Sequence, residues 1–342
     1  MKVVIVSSAV PLDVGGARFI VDWLHAALKE YGHQVETTYI PYVENQNDIL
    51  TQMAAYRLFN IDGADRVITL RSPAHLIQHP NKVVWFTHHS RQLYDLWGTE
   101  HCEVPDNFHG REIRDLVRQA DTIALKGARQ LFATSRTISK RLMTHNELPS
   151  EVLYPPISHP ERYTPGPYGD EIVCVGRMEP HKRQHLLAEA MLYVSSPVKL
   201  RLCGQGFNTP YVDRLKAIAE KLPGKILVED RWISEDEKAE RLSTSLASAY
   251  VPLDAGGCGY PTIEAAHARR CTLTTTDSGA VSEFIIDGEQ GFVVEPHPKA
   301  IAEAFDWLYN NKKATIRMGE AAESRITELG IAWSKVIDRL LV

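Results

Sequence analysis

Short apolar runs alternate with amphipathic stretches along almost the whole chain, and this alternation narrows the fold more than any other feature. Residues 2–8, KVVIVSS, have the pattern of a strand buried on both faces of a parallel sheet. After the loop AVPLDVGG comes ARFIVDWLHAALKEYG, where Ile20, Leu24, Ala27 and Leu28 keep helical spacing and Gly32 offers a stop. QVETTYI resumes as a strand. The rhythm continues through RVITL (66–70), KVVWF (82–86), a helix-rich stretch at about 109–127, LFATS (131–135), a short helix and EVLYP. Such alternation predicts a doubly wound α/β domain.

The segment 155–169, PPISHPERYTPGPYG, interrupts the rhythm with five prolines and two glycines and reads as a linker. The pattern then restarts with EIVCVG (171–176), a helix from about 182, VKLRLCG (198–204), a helix over 209–222, KILVE (225–229) and a helix over 234–243. ASAYVPL (247–253), CTLTTT and GFVVE complete it. Two domains are therefore expected, over 1–155 and 156–325, with a terminal helix at about 326–342 crossing back onto the first. At 342 residues the chain is long for one core. The expected fold class is α/β, with two Rossmann-like doubly wound domains facing a cleft at the carboxyl ends of their sheets, where open α/β folds bind ligands.

Bulk properties remove several function classes. A composition of 44% hydrophobic and 24% charged residues is ordinary for a water-soluble domain, and a net charge of −5 argues against wholesale nucleic-acid binding. No run reaches the roughly 18 apolar residues of a membrane span. MKVVIVSSAVPL is too short and too quickly interrupted for a signal peptide. The five cysteines form no CxxC pair, and Cys174 and Cys203 fall inside apolar strands as small core residues. A cytoplasmic protein is expected.

Chemistry concentrates in a few loops. The first strand is followed by SSAVPLDVGGA rather than GxGxxG, and GQG at 204–206 is half that fingerprint, so NAD is disfavoured. VGRMEPHKRQHLL (175–187) puts Arg177 at a strand end and Lys182 at the next helix start. There a bound anion would offset the unfavourable interaction of cations with the helix dipole. A solvated Arg and Lys explain the same stretch. In DVGGA (13–17), Gly15 and Gly16 permit close backbone approach to a phosphate or sugar, or simply form a tight turn. VPLDAGGCGYPTIEAAHA (251–268) runs from a strand end through a glycine-rich turn into a helix, with Pro261 suited to the first helical position and Glu264 in the first turn.

Taken in order, VGRMEPHK, LRLCGQG, GCGYPTIEAAHA and TDSGAVSEFIIDGEQGFVV resemble the motifs of family 4 of the retaining glycosyltransferases, which have the GT-B fold. GGARFIVDWLHAALKEYGHQV is similar to that family's N-terminal loop and helix. The resemblance spans nearly the whole chain. It implies an N-terminal acceptor domain, a C-terminal nucleotide-sugar donor domain, and Arg177 and Lys182 holding the donor's diphosphate as leaving group. It places Glu264 as the second acid of an E-x7-E motif, on the nucleotide ribose. Gly257, Cys258, Gly259 and Tyr260 match the turn near donor sugar and phosphate, Gly15 and Gly16 the N-terminal glycine loop, and Gly204 and Gly206 the turn beside the nucleotide. His88 or His89 matches a cleft histidine near the transferred sugar; on a strand end the two face opposite ways.

One position departs from the pattern: Gly256 stands where the first acid of E-x7-E falls, and Asp254 is two residues earlier. The resemblance implies transfer with retention, no metal and no cofactor, the nucleotide sugar being a substrate. The chain lacks a DxD pair, in keeping with Arg177 and Lys182 rather than Mg²⁺ neutralising the diphosphate. A glycan or lipid-linked acceptor and a role in surface polysaccharide or glycolipid assembly are associations of the family. Three alternatives stay open: an inactive GT-B binding subunit, a phosphorylase and an epimerase.

Weaker signals are ambiguous. Residues 109–145 carry eight Lys/Arg against three acids, consistent with peripheral contact to an anionic membrane at its inner face or with solvated helix faces. Tyr94 and Trp97 suit either a sugar-stacking lid or core packing. His101, Cys102 and His109 lack tight metal-ligand spacing. Glu283 fits a later family acid or a helix-start acid.

Overall fold

The computed structural model describes residues 1–10, 15–43, 48–99 and 102–342. The chain divides into two compact units, Met1–Pro155 with Ile331–Val342, and Pro156–Gly330. In the first, β1 (Lys2–Ala9), β2 (Gln34–Pro41), β3 (Arg66–Thr69), β4 (Lys82–Phe86), β5 (Gln130–Ala133) and β6 (Glu151–Val152) form one parallel sheet in the order β2-β1-β3-β4-β5-β6. The helices of this unit are α1 (Gly16–Glu30), α2 (Ile49–Leu58), α3 (Phe108–Lys126) and α4 (Arg136–Asn146). The central strands β3 and β4 are buried along their full length, as apolar runs between two helix layers require. In α1 the buried residues include Ile20, Leu24, Ala27 and Leu28, the stripe read from the sequence.

The second unit repeats the design. β7 (Glu171–Val175), β8 (Lys199–Cys203), β9 (Ile226–Glu229), β10 (Ala247–Ala249), β11 (Thr272–Thr275) and β12 (Gly291–Val294) pair in parallel in the order β12-β11-β10-β7-β8-β9. They alternate with α5 (Gln184–Ala190), α6 (Thr209–Glu220), α7 (Glu235–Ser243), α8 (Tyr260–His267), α9 (Val281–Phe284), α10 (Pro298–Asn310) and α11 (Lys312–Glu328). Cys174 and Cys203 are free thiols in the core of this unit. The final helix, α12 (Trp333–Leu341), belongs to the first unit. Its last carbonyls, at Leu340, Leu341 and Val342, accept bonds of 2.8–3.2 Å from the Arg66 guanidinium, and Trp333 meets the buried Trp85 edge-on. No described helix is long and apolar enough to cross a membrane.

Both sheets reverse direction once. In the first unit the chain steps from β1 to β2 on one side and continues through β3 on the other; in the second it steps from β7 to β8 and β9, then restarts at β10 beside β7. Diverging loops at such a switch point leave a crevice beyond the strand carboxyl ends, where α/β folds place ligands.

Candidate active site

At the switch point of the second unit, the loops after β7 and β10 are tied together. Leu253 N–H donates to the His181 carbonyl at 2.9 Å, and Lys182 Nζ donates to Tyr250 Oη at 3.1 Å. Lys182 is not on an α-helix, contrary to the expected helix from about 182. It closes a 3-10 turn, Pro180–Lys182, and α5 starts at Gln184 after Arg183 takes a left-handed backbone (φ +56°). Arg177 is half-buried at the head of this loop, and its carbonyl accepts from the buried Gln184 amide at 2.8 Å.

The ring of Tyr250, almost wholly buried, occupies the space where a side chain at residue 259 would begin. Gly259 combines φ +79° with that contact, so only glycine fits there without moving the tyrosine. Gly259 caps α8, whose first residue is Tyr260; Pro261 is therefore second rather than first. Gly257 faces open space, whereas Cys258 is buried. The neighbouring turn is also a close backbone crossing. A Cβ at Gly204 (φ +142°) would collide with the Gly176 carbonyl, and Gly206 packs on Val212 and Met178 while its amide donates to Asp230 at 3.0 Å. Within this unit Lys182 meets Tyr250, whose ring lies against Gly259, and Gly204 and Gly206 lie against the loop of Arg177.

Residues 166–325 match the family described as glycosyl transferases group 1. Among solved structures, sucrose-phosphate synthase from Thermosynechococcus elongatus is similar over 98% of this chain and 97% of its own (15% identity, TM-score 0.77). A glycosyltransferase from Rickettsia africae is similar over 99% and 98% (18%, 0.71), and Anabaena HepE in complex with UDP over 99% of both chains (13%, 0.72). The chain has the GT-B fold. By sequence, no curated protein matches it.

In the group 1 segment, Glu264 has a setting that the sequence did not disclose. It is 2% exposed, and its Oε1 accepts from Lys238 Nζ, on α7, at 2.6 Å. Lys238 also meets Glu235 at 2.9 Å, and Tyr163 donates to Glu235 at 3.2 Å. The second oxygen, Oε2, is buried and makes no hydrogen bond of ordinary geometry among the described residues, although the Tyr163 hydroxyl is near enough to favour the carboxylate. Burial pushes the Glu264 carboxyl above its ordinary pKa despite the lysine. For Lys238, burial opposes the charge but Glu264 and Glu235 outweigh it and raise its pKa. Burial also raises the Tyr260 phenol.

Gly256 lies in a turn zipped to the loop after β11. Asp254 N–H donates to the Asp277 carbonyl at 2.9 Å, and Ala280 N–H to the Ala255 carbonyl at 2.8 Å, with Asp254 itself left-handed (φ +46°). The most extensive polar junction here involves a pair that sequence reading did not single out. Arg183 donates to both carboxylate oxygens of Asp277 at 2.6 Å each, to the carbonyls of Val251 and Pro252, and to Thr275 Oγ1. Burial opposes the Asp277 charge, but Arg183 and Thr275 outweigh it and hold the carboxyl below its ordinary range. Glu283 lies within the one-turn helix α9, two residues after its start at Val281.

In the first unit, Gly15 is the extended N-cap of α1, its carbonyl accepting from Arg18 and Phe19, and Gly16 opens the helix. Asp13 and Val14 of the same loop lie outside the described residues. The two histidines differ sharply. His89 is 1% exposed, within 4.2 Å of the Tyr94 ring centroid and 4.7 Å of Phe86, and its Nε2 donates to Asn146 Oδ1 at 2.8 Å. Burial lowers its pKa from 6.5 to about 4, so it is neutral. His88 is half-buried, and its Nδ1 donates to the His89 carbonyl at 2.8 Å. Tyr94 is core rather than lid, donating to the buried Asp121 at 2.8 Å, while Trp97 packs beneath the Arg114 guanidinium. Of the basic stretch, Arg111 pairs with Asp106, Arg141 with Asp95, and Arg118 covers Tyr94. His101 lies outside the described residues.

Proposed function

We propose that the chain is a retaining, metal-independent glycosyltransferase that moves a sugar from a nucleoside-diphosphate sugar to a glycan or glycolipid acceptor. The observation that carries this reading is the junction of Lys182, Tyr250 and the Gly259 turn at the switch point of a group 1 segment. It gains support from the neighbours of the same fold, since Anabaena HepE was solved with UDP and with UDP-glucose. In this reading the second unit binds the donor, Arg177 and Lys182 hold the diphosphate, and the amides of residues 257–260 approach phosphate and sugar. The bond from the anomeric carbon to the diphosphate breaks as the acceptor oxygen attacks on the same face, and the acceptor proton passes to the departing phosphate. The first unit takes the acceptor, with His88, the more accessible histidine, near the transferred sugar. Sites of action at the cytoplasmic face of a membrane and in polysaccharide assembly belong to this proposal.

Titration calorimetry with a nucleoside diphosphate and its nucleoside, with and without EDTA, tests the site. Lys182→Ala removes one charge-assisted bond, so diphosphate binding should weaken by about 1.5–3 kcal/mol while nucleoside binding hardly changes. Loss of binding in EDTA, or equal losses for both ligands, refutes the arrangement. A second reading, a binding subunit without turnover, is favoured by Gly256 and by the buried Lys238–Glu264 pair. Release of nucleoside diphosphate from any member of a nucleotide-sugar panel excludes it.

A further inference from the structure

We infer that Arg183 is a positioning residue for the diphosphate site: its side chain locks the loops after β10 and β11 to the turn bearing Lys182, and so sets diphosphate affinity without touching the ligand. The inference rests on the proposed role of Lys182. Three observations support it. The backbone of Arg183 is left-handed (φ +56°), a conformation unfavourable for any residue with a side chain and natural to glycine, so the arginine is held there by what its side chain does. That side chain is 11% exposed, and its Nε, Nη1 and Nη2 are all committed to Asp277, Thr275 and the carbonyls of Val251 and Pro252. Its partners are the roots of the site. Val251 and Pro252 lead from Tyr250 into the glycine-rich turn, and the loop of Asp277 is zipped to residues 254 and 255 of that turn. The planar guanidinium fork, bidentate on Asp277 with two carbonyls alongside, fixes orientation as well as distance, which the single ammonium of a lysine cannot do. Lys182, next in the chain, therefore inherits its position relative to Tyr250 and Gly259 from the Arg183 junction.

The experiment measures dissociation constants for the tightest binder among UDP, GDP and ADP, and for its nucleoside, on Arg183→Gly, Arg183→Lys, Asp277→Asn and Lys182→Ala, with melting curves for each. Arg183→Gly removes the junction but relaxes the left-handed backbone, so it should stay folded. Its diphosphate dissociation constant should rise at least tenfold while that of the nucleoside moves less than twofold, and Arg183→Lys and Asp277→Asn should follow the same split. A residue that merely stabilised the fold would lower the melting temperature without this split. If Lys182→Ala weakens the diphosphate but Arg183→Gly and Asp277→Asn, both folded, leave it within twofold, the positioning role is overturned. If Lys182→Ala changes nothing, or wild type binds none of the three nucleotides, the diphosphate reading falls first and the inference falls with it. Should Arg183→Gly not fold, Asp277→Asn decides.

Discussion

Replacing Lys238 with methionine isolates the energetics of the buried carboxylate at residue 264. In the wild type, Nζ lies 2.6 Å from Glu264 Oε1 and the glutamate side chain is 2% exposed. At an effective dielectric of 20, a separation of 2.6 Å corresponds to an attraction of about 6 kcal/mol, comparable to the several kcal/mol needed to desolvate each ion. Removing only the lysine deletes the attraction and leaves the carboxylate's desolvation in place, a change that costs about 3–5 kcal/mol. For a unit of this size that corresponds to a drop of about 6–20 °C in its melting transition. The loss must depend on pH. A carboxyl held above its ordinary pKa destabilises the fold only where the unfolded chain would be ionised, so the penalty grows as the pH rises above about 4.5 and should be smaller at pH 5 than at pH 8. Scanning calorimetry of wild type, Lys238→Met, Glu264→Gln and the double variant at both pH values provides the measurement. The double variant, with no buried charge, should recover most of the loss. A Lys238→Met transition within 2 °C of wild type at pH 8, or a double variant no better than the single one, would refute the reasoning.

Gly259→Ala should lower the melting transition and weaken diphosphate binding, because the new methyl combines left-handed strain of about 1–2 kcal/mol with collision against Tyr250. In a Tyr250→Ala background the same change should cost less, and strictly additive losses would remove the ring from the explanation. Since burial depresses the His89 pKa from 6.5 to about 4, its contribution to stability is complete above pH 6.5 and lost as the pH falls to 4. That window is worth about 3 kcal/mol. His89→Phe should therefore flatten the acid loss in urea titrations; an unchanged slope places the histidine elsewhere. His88→Ala should leave the melting temperature within about 2 °C of wild type and lower turnover of the sugar donor, and a variant with full turnover would free His88 of any role.

The strands were legible because a strand sandwiched between helix layers must be apolar on both faces, and KVVIVSS, KVVWF and EIVCVG meet that demand without reference to anything distant. The motifs of Arg177, Lys182 and Gly259 were legible for a related reason: each lies at a strand-to-helix junction, where local backbone geometry selects glycine, proline or a charge. Pairing between distant segments was not legible. Nothing in either segment indicates that Glu264 meets Lys238, 26 residues away on another helix, or that Arg183 spans the chain to Asp277. Those contacts follow from the order in which the strands pair, and that order sets β10 beside β7. The start of α5 was misplaced by two residues because Arg183 adopts a backbone that its side-chain partners hold and its own propensity opposes. Alternation in WFTHHS told only that His88 and His89 face opposite ways. Which of them enters the core was decided by Asn146, carried there by α4, since an imidazole loses water more cheaply when one nitrogen finds an acceptor inside.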